Sequence, residues 1–219
     1  MKVTVNEYDI TWKDVYKAES KVIKKSLGKN CFDIKHIGGT SVAGLASAPV
    51  IDMLVAVNKY DDTDVLDSAM MALGYSVSEI GEGYRIYLKN MEKHSFSVRL
   101  YDKMKRSELE SYAAVRDYLR SNAEEVKAFS EAKKKWAEEY ADFPEAYENA
   151  KAEYLAPLKE RAVAWQKKMN KQGTCLSIGM CLGLSVGMSI GSLLGNTATG
   201  MCMGMAVGMC LGLVFGTSK

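Results

Sequence analysis

One block holds the residues best suited to chemistry, His36-Ile37-Gly38-Gly39-Thr40-Ser41 followed eleven positions on by Asp52. A strand that ends in Gly38-Gly39 lets backbone N–H groups approach a phosphate, because neither residue has a side chain to hold it off. Thr40 and Ser41 add hydroxyl donors, and Asp52 projects from the next strand as a hard oxygen ligand. A glycine turn opposite a strand carboxylate is the division of labour that a Mg²⁺-bound triphosphate needs, one part for the phosphate oxygens and one for the metal. The same residues have a plainer reading, in which Asp52 hydrogen-bonds the Gly38-Gly39 backbone and His36 packs at a strand end.

Four further residues carry charge or an imidazole where they bear on such a site. His94 is the second of two histidines and either shares a polar pocket with His36 or packs separately. Arg85 lies inside a strand, placed to bind an anionic group or to pair with Asp52 or Glu82. Arg116 and Arg120 flank Asp117 on one helix, where intrahelical pairing is the default and a phosphate-facing role for Arg116 the alternative.

The elements that must position these residues follow from periodicity. Val15, Ala18, Val22, Ile23 and Leu27 have helical spacing, and Gly28 stops that helix. Phe32 to Ile37 reads as a strand. Val50 to Val57 is a continuous, β-branched apolar run, as for a strand covered on both faces. Asp61 to Leu73 is helical, and Tyr84 to Leu88 and Ser95 to Tyr101 alternate as strands around a turn at Asn90. From about Ser107 to Lys171 the pattern is helical, broken near Phe143-Pro144 and kinked at Pro157. The order α, β, β, α, β, β, then helices, gives an α+β class with a small mixed sheet flanked by helices.

The glycine block resembles that of the GrpB family, whose members carry His-[IV]-Gly-Ser-Thr-[SA]-Val-Pro-Gly-Leu and then Lys-Pro-[IV]-[IV]-Asp on a nucleotidyltransferase-like fold. The chain matches at His36, Gly38, Thr40, Ser41, Val42, Gly44, Leu45, Pro49 and Asp52, and departs at Gly39, Ala43 and Ala48. Tyr8, Trp12, Gly74-Tyr75, Arg85, Lys89, Arg116 to Arg120, Tyr147 and Lys151 extend the resemblance over residues 8 to about 165. It implies that His36, Gly38, Gly39, Thr40, Ser41, Arg85 and His94 bind a nucleotide or other phosphorylated small molecule. It also implies Asp52 as catalytic residue and Mg²⁺ ligand. Nucleotidyltransferases place a second acid two residues after the first, because two Mg²⁺ ions about 3.5–4 Å apart clamp the attacking and leaving oxygens. Here that place is Leu54, and no acid on the strand from Ser95 to Tyr101 supplies a third, Asp102 falling just past its end. The family's His-x-His strand is incomplete too, His94-Ser95-Phe96-Ser97 keeping the first imidazole and carrying a hydroxyl for the second.

The last 46 residues are of another kind. Glycine recurs every fourth position from Gly179 to Gly195 and again from Gly200 to Gly216, with no charge until Lys219. In water ten interior glycines make a poor helix, each costing about 1 kcal/mol relative to alanine. In a bilayer every backbone group must be paired within the segment, which forces helix, and small residues let two helices approach closely. Residues 174–195 span roughly 33 Å and 200–217 roughly 27 Å, enough for two crossings joined by the polar turn Asn196 to Thr199. The expected organisation is a domain over 1–165, a basic linker over 166–173, and a glycine-zipper transmembrane hairpin over 174–219. Lys167, Lys168, Lys171 and Lys219 put both hairpin ends and the soluble domain in the cytoplasm. The partners this implies are membrane lipid and, as an alternative function, a homo-oligomer or pore built through the hairpin and regulated by the soluble domain.

Charge and cysteine usage bound the rest. The first 173 residues carry 28 positive and 27 negative side chains, which gives no electrostatic ground for a nucleic-acid partner. Four of five cysteines lie in the glycine-rich tail, Cys31 stands alone, and no CxxC pair or metal spacing occurs, as suits a reducing compartment. Met1 to Asp14 is polar, so no signal peptide is expected.

Overall fold

A computed structural model describes residues 3–217, with the side chains of 105–109 excepted. The chain divides into two compact units, Met1–Ala162 and Val163–Lys219. In the first, α1 (Trp12–Leu27) leads through a short turn into β1 (Cys31–Ile37), and β2 (Val50–Val57) follows the glycine block. Then come α2 (Thr63–Met71), β3 (Ser76–Gly81), β4 (Tyr84–Asn90) and β5 (Ser95–Asp102). The helices α3 (Arg106–Arg120), α4 (Ala123–Glu139) and α5 (Pro144–Leu193) complete it, α5 running on into the second unit.

The sheet has five strands in the order β1-β2-β5-β4-β3, and β2 with β5 is its one parallel pair. Strand alternation divides β2 between two layers. Ile51, Met53, Val55 and Val57 join Trp12, Ile23, Leu66 and Met70 in the core under α1 and α2. Leu54 and Ala56 face the other way, packing with Ile37 and Tyr101 and against Tyr112 of α3. A third cluster ties the loop residues Val42 and Leu45 to Leu119, Phe129 and Leu158 of α3, α4 and α5. The loop between β1 and β2 is thus wedged between sheet and helices.

Three boundaries differ from the periodicity reading. β3 was not expected, and its Ser-Val-Ser-Glu-Ile-Gly sequence explains why: it is a mostly exposed edge strand with no apolar alternation to read. Ser121-Asn122 breaks the helical run a second time, the Asn122 side chain donating to Tyr118 O at 2.7 Å. The helix, expected to run to about Lys171, continues through the basic stretch 166–173 to Leu193 without a break.

The second unit pairs the end of α5 with α6 (Thr197–Thr217). Gly195 (φ 79°) turns the chain, with Asn196 N–H bonded to Gly191 O at 2.9 Å and Gly195 N–H to Ser192 O at 3.4 Å, the Schellman arrangement. The turn is shorter than expected, because Asn196 Oδ1 accepts from Thr199 N–H at 3.1 Å and starts α6 at Thr197. The two glycine rows face each other. A Cβ on Gly183, Gly187 or Gly191 would stand 2.9 Å from the Cα of Gly208, Gly204 or Gly200 respectively. Both helices are long and apolar enough to cross a membrane by length and composition. Lys219 lies outside the described residues.

Candidate functional site: a cationic cavity at the glycine turn

The glycine block packs so closely on its surroundings that most of its polar groups are consumed internally. His36 is buried with its ring stacked on Tyr16 at 4.5 Å, and its Nε2 lies 3.1 Å from Thr40 Oγ1. Because Thr40 Oγ1 donates to Val50 O at 3.0 Å, its oxygen is left to accept, so His36 Nε2 carries the proton. Burial, with the charges of Arg120 and Arg116, holds this imidazole down at about 4, and it is neutral at physiological pH. Ser41 Oγ donates back to Gly38 O at 2.6 Å. Thr40 and Ser41 are both buried, so these hydroxyls, expected as phosphate donors, instead stitch the turn together.

Helix α3 holds the turn from the other side. Arg116 Nη1 donates to His36 O at 3.0 Å, and Arg120 Nε and Nη2 donate to Ser41 O at 3.1 and 2.6 Å. Arg116 also forms the intrahelical pair with Asp117, at 2.7 Å. Both arginines therefore clamp backbone carbonyls and act as positioning residues.

This stitching leaves Gly38 exposed and Gly39 half-buried. Gly38 sits at φ 72°, where a side chain is strained, and a Cβ there would collide with the Asp52 carboxylate. A Cβ on Gly39 would collide with Ser47 Oγ and stand 2.8 Å from Lys133 Nζ. Ser47 and Lys133 thus fill the space that a side chain at Gly39 would need.

Around this turn lies a cavity of about 430 Å³. Asp52 on β2, Arg99 on β5, Tyr112 and Arg116 on α3, Lys133 on α4, and Lys151 and Lys159 on α5 reach it. Five cationic side chains and one carboxylate thus line it, Arg116 being paired with Asp117 and Lys151 with Glu148, each at 2.7 Å. Asp52 opens to the cavity from deep below the surface, so burial pushes its carboxyl upward, while Arg99, Lys151, the Ser97 hydroxyl and Lys133 act against that. Lys133 is 6% exposed, donates to Ser47 Oγ at 2.9 Å and Ala46 O at 3.2 Å, and lies 4.7 Å from the Phe129 ring centre. Burial first, then the charge of Lys151, bring its ammonium down to about 8. Arg99 and Lys159 both face the Tyr112 ring, at 5.4 and 5.6 Å from its centre.

Of the residues expected at the site, the structure brings Gly38, Gly39 and Asp52 to the cavity and places the other five elsewhere. His36, Thr40 and Ser41 support the turn from within. Arg85 and His94 belong to the opposite side of the sheet. Arg85 Nη1 pairs with Asp67 at 2.6 Å rather than with Asp52 or Glu82, and Asp67 also accepts from Tyr87 OH at 2.7 Å. His94 sits in the β4–β5 turn, edge-on to Phe96 of the α1–α2 core. Arg99, Tyr112, Lys133 and Lys159 were not foreseen. Lys133 sits in a run of three lysines that looks solvated, yet it falls four residues after Phe129 and seven after Val126, on the buried stripe of α4.

The donor set does not fit a two-Mg²⁺ centre. Leu54, where a second acid would stand, is buried among Ile37, Ala56 and Tyr101. Asp102 pairs with Val57 while Asp52 pairs with Ser97, five positions apart and roughly 16 Å along the strands. Among the described residues no group of three or more His, Cys, Asp or Glu side chains comes together.

Comparison with known proteins agrees with this architecture. The family model described as GrpB protein matches residues 2–161. The UPF0157 protein YqkA of Bacillus subtilis is 30% identical over 173 residues, which cover 77% of this chain and 50% of that protein, so the chain spans half the length of that relative. The UPF0157 protein SCO7215 of Streptomyces coelicolor is 30% identical over 75% of this chain and 86% of its own. The crystal structure of the conserved protein GrpB from Enterococcus faecalis superimposes with a TM-score of 0.70 at 30% identity, over 74% of this chain and 99% of that one. With the matched span running from the first strand's approach to the helices that close the cavity, the chain belongs to the GrpB family.

Proposed function

We propose that the first unit binds a nucleotide or another phosphorylated small molecule, on a nucleotidyltransferase-like fold, in the cavity at the glycine turn. The observation that carries this reading is the convergence of five cationic side chains on a turn without side chains, with Asp52 as the one acid among the lining residues. Cations from four separate elements at one concavity recognise an anion, and buried or half-buried ones do so with little screening. Tyr112, with Arg99 and Lys159 over its ring, holds two of these cations at the cavity wall. A thermal-shift panel of phosphorylated small molecules tests it. A ligand at a hundredfold excess over Kd adds about 2.7 kcal/mol, roughly 5–10 °C for a unit of this size. The rise should vanish in Arg99→Gln, and a panel with no shift refutes the reading.

The helical pair is proposed to anchor this unit in a membrane, with both ends on the cytoplasmic side. Leu182, Val186, Ile190, Val207, Leu211 and Phe215 are each at least half exposed, a surface that lipid would cover. The hydroxyls of Ser177, Ser185 and Ser189 donate to carbonyls four residues earlier, so none is left bare in an apolar surrounding. The glycine rows are consumed by each other within the chain, which favours an anchor over an oligomer built through them. Labelling by an impermeant maleimide should reach Asn196→Cys and Lys168→Cys from opposite faces of a sealed vesicle. Labelling of both from one face sinks the anchor.

A further inference from the structure

We infer that the cavity takes its phosphorylated ligand free of divalent metal, its arginine and lysine side chains meeting the phosphate charge that Mg²⁺ would otherwise neutralise, so that Mg²⁺ opposes binding. This rests on the anion site proposed above and adds the ionic form of the ligand. Three observations lead to it.

The first is the pairing of the cations. Arg99 meets Tyr112 by its ring face and, at 3.5 Å, by its hydroxyl, and Lys159 meets the same ring; among the described residues neither is salt-bridged to a carboxylate, though Asp52 lies near enough for Arg99 to act on it. The Lys133 ammonium has three N–H donors and gives two, to Ala46 and Ser47, leaving one beside Gly39. With Arg116 paired to Asp117 and Lys151 to Glu148, the three remaining lining cations face Asp52 alone, and positive charge is in excess before any ligand arrives.

The second is the acid. Asp52 accepts from the Ser97 hydroxyl and has Lys133, Lys151 and Arg99 as its charged neighbours. Mg²⁺ demands near-ideal octahedral oxygen coordination and dehydrates reluctantly. One carboxylate already engaged, with like-charged ammonium and guanidinium groups around it, is a poor seat for it, and Leu54 removes the second oxygen ligand.

The third is the charge on the ligand itself. A nucleoside triphosphate loses two negative charges when it binds Mg²⁺. A site whose attraction comes from fixed cations holds the metal-free form more tightly than the metal complex, because the Coulomb gain scales with the ligand's charge. A site whose attraction comes through a metal shows the reverse order.

The test is isothermal titration calorimetry of the full chain in non-ionic detergent with ATP as the probe, in EDTA and in excess Mg²⁺. Affinity should be at least several-fold higher in EDTA, and it should fall as salt rises. Lys159→Gln, an exposed position that the fold does not depend on, should weaken binding about tenfold, and Asp52→Asn should leave binding intact or tighten it. Tighter binding in Mg²⁺, lost in Asp52→Asn, overturns the metal-free inference and leaves the phosphate reading standing. No heat with ATP, ADP or pyrophosphate in either buffer overturns both.

Discussion

Replacing Lys133 by methionine should change how stability depends on pH, with a sign and a size that the structure fixes. In the unfolded chain this lysine titrates near its ordinary 10.5, and in the folded protein near 8. Desolvation dominates that fall and the neighbouring Lys151 adds to it, while Asp52 and Glu148 pull the other way. Between about 8 and 10.5 the unfolded chain binds more protons than the folded one, so stability rises with pH through that window; below 8 both states are protonated and the full cost of burying the charge is present. That cost is about 3 kcal/mol. The bonds to Ala46 and Ser47 drop out of the comparison, because a neutral amine still donates them. The stability of Lys133→Met relative to the parent should therefore fall by about 3 kcal/mol between pH 7 and a pH above 10. Urea denaturation of both proteins, followed through the fluorescence of Trp12 and Trp136, measures it. Parallel stability curves, or a gap that widens as pH rises, would refute the assignment of a buried, partly deprotonated lysine at the cavity.

Three further outcomes are expected. His36, near 4 in the folded state against 6.5 unfolded, should withdraw up to about 3 kcal/mol of stability as pH drops from 6.5 towards 4, and its ring protons should show no titration between pH 6 and 8 by NMR. Gly39→Ser alone should destabilise the protein by about 1–3 kcal/mol through its collision with Ser47 and Lys133, and Ser47→Ala added to it should recover part of that loss in a double-mutant cycle. Gly187→Leu should push α5 and α6 apart around Gly200 and Gly204, lengthening the distance between spin labels at positions 182 and 207; an unchanged distance would mean that the glycine rows do not set the approach.

Sequence periodicity was sufficient for the elements with a clear apolar face and failed where burial is carried by something else. Val50 to Val57 announced itself as an inner strand because both its faces are covered, and α1 and α2 showed their core stripes. β3 did not, because an exposed edge has no apolar face to display. At the site, the glycine turn and Asp52 were legible because close approach and a buried acid each demand one residue type. The side of the sheet on which Arg85 stands was not, since parity depends on a register that pairs Arg85 with Leu100 and Asp52 with Ser97, and register is fixed only when the strands meet. The cations from α4 and α5 were hidden for a related reason: helices distant in sequence supply them, and a lysine reads as solvated until its neighbours are known.

The parallel pairing of β2 with β5 governs the order in which the sheet can be built. β1 reaches β2 through the twelve residues of the glycine block, while the partner on the other side arrives 45 positions later, Asp52 with Ser97, after α2, β3 and β4 have been laid down. Contacts so distant in sequence are slow to form. Until β5 docks, Val50 to Val57 presents an unpaired, uncharged β-branched edge save for Asp52, the composition from which intermolecular strands grow. A chain interrupted between Asn90 and Ser95 should therefore aggregate rather than persist as a smaller soluble fold.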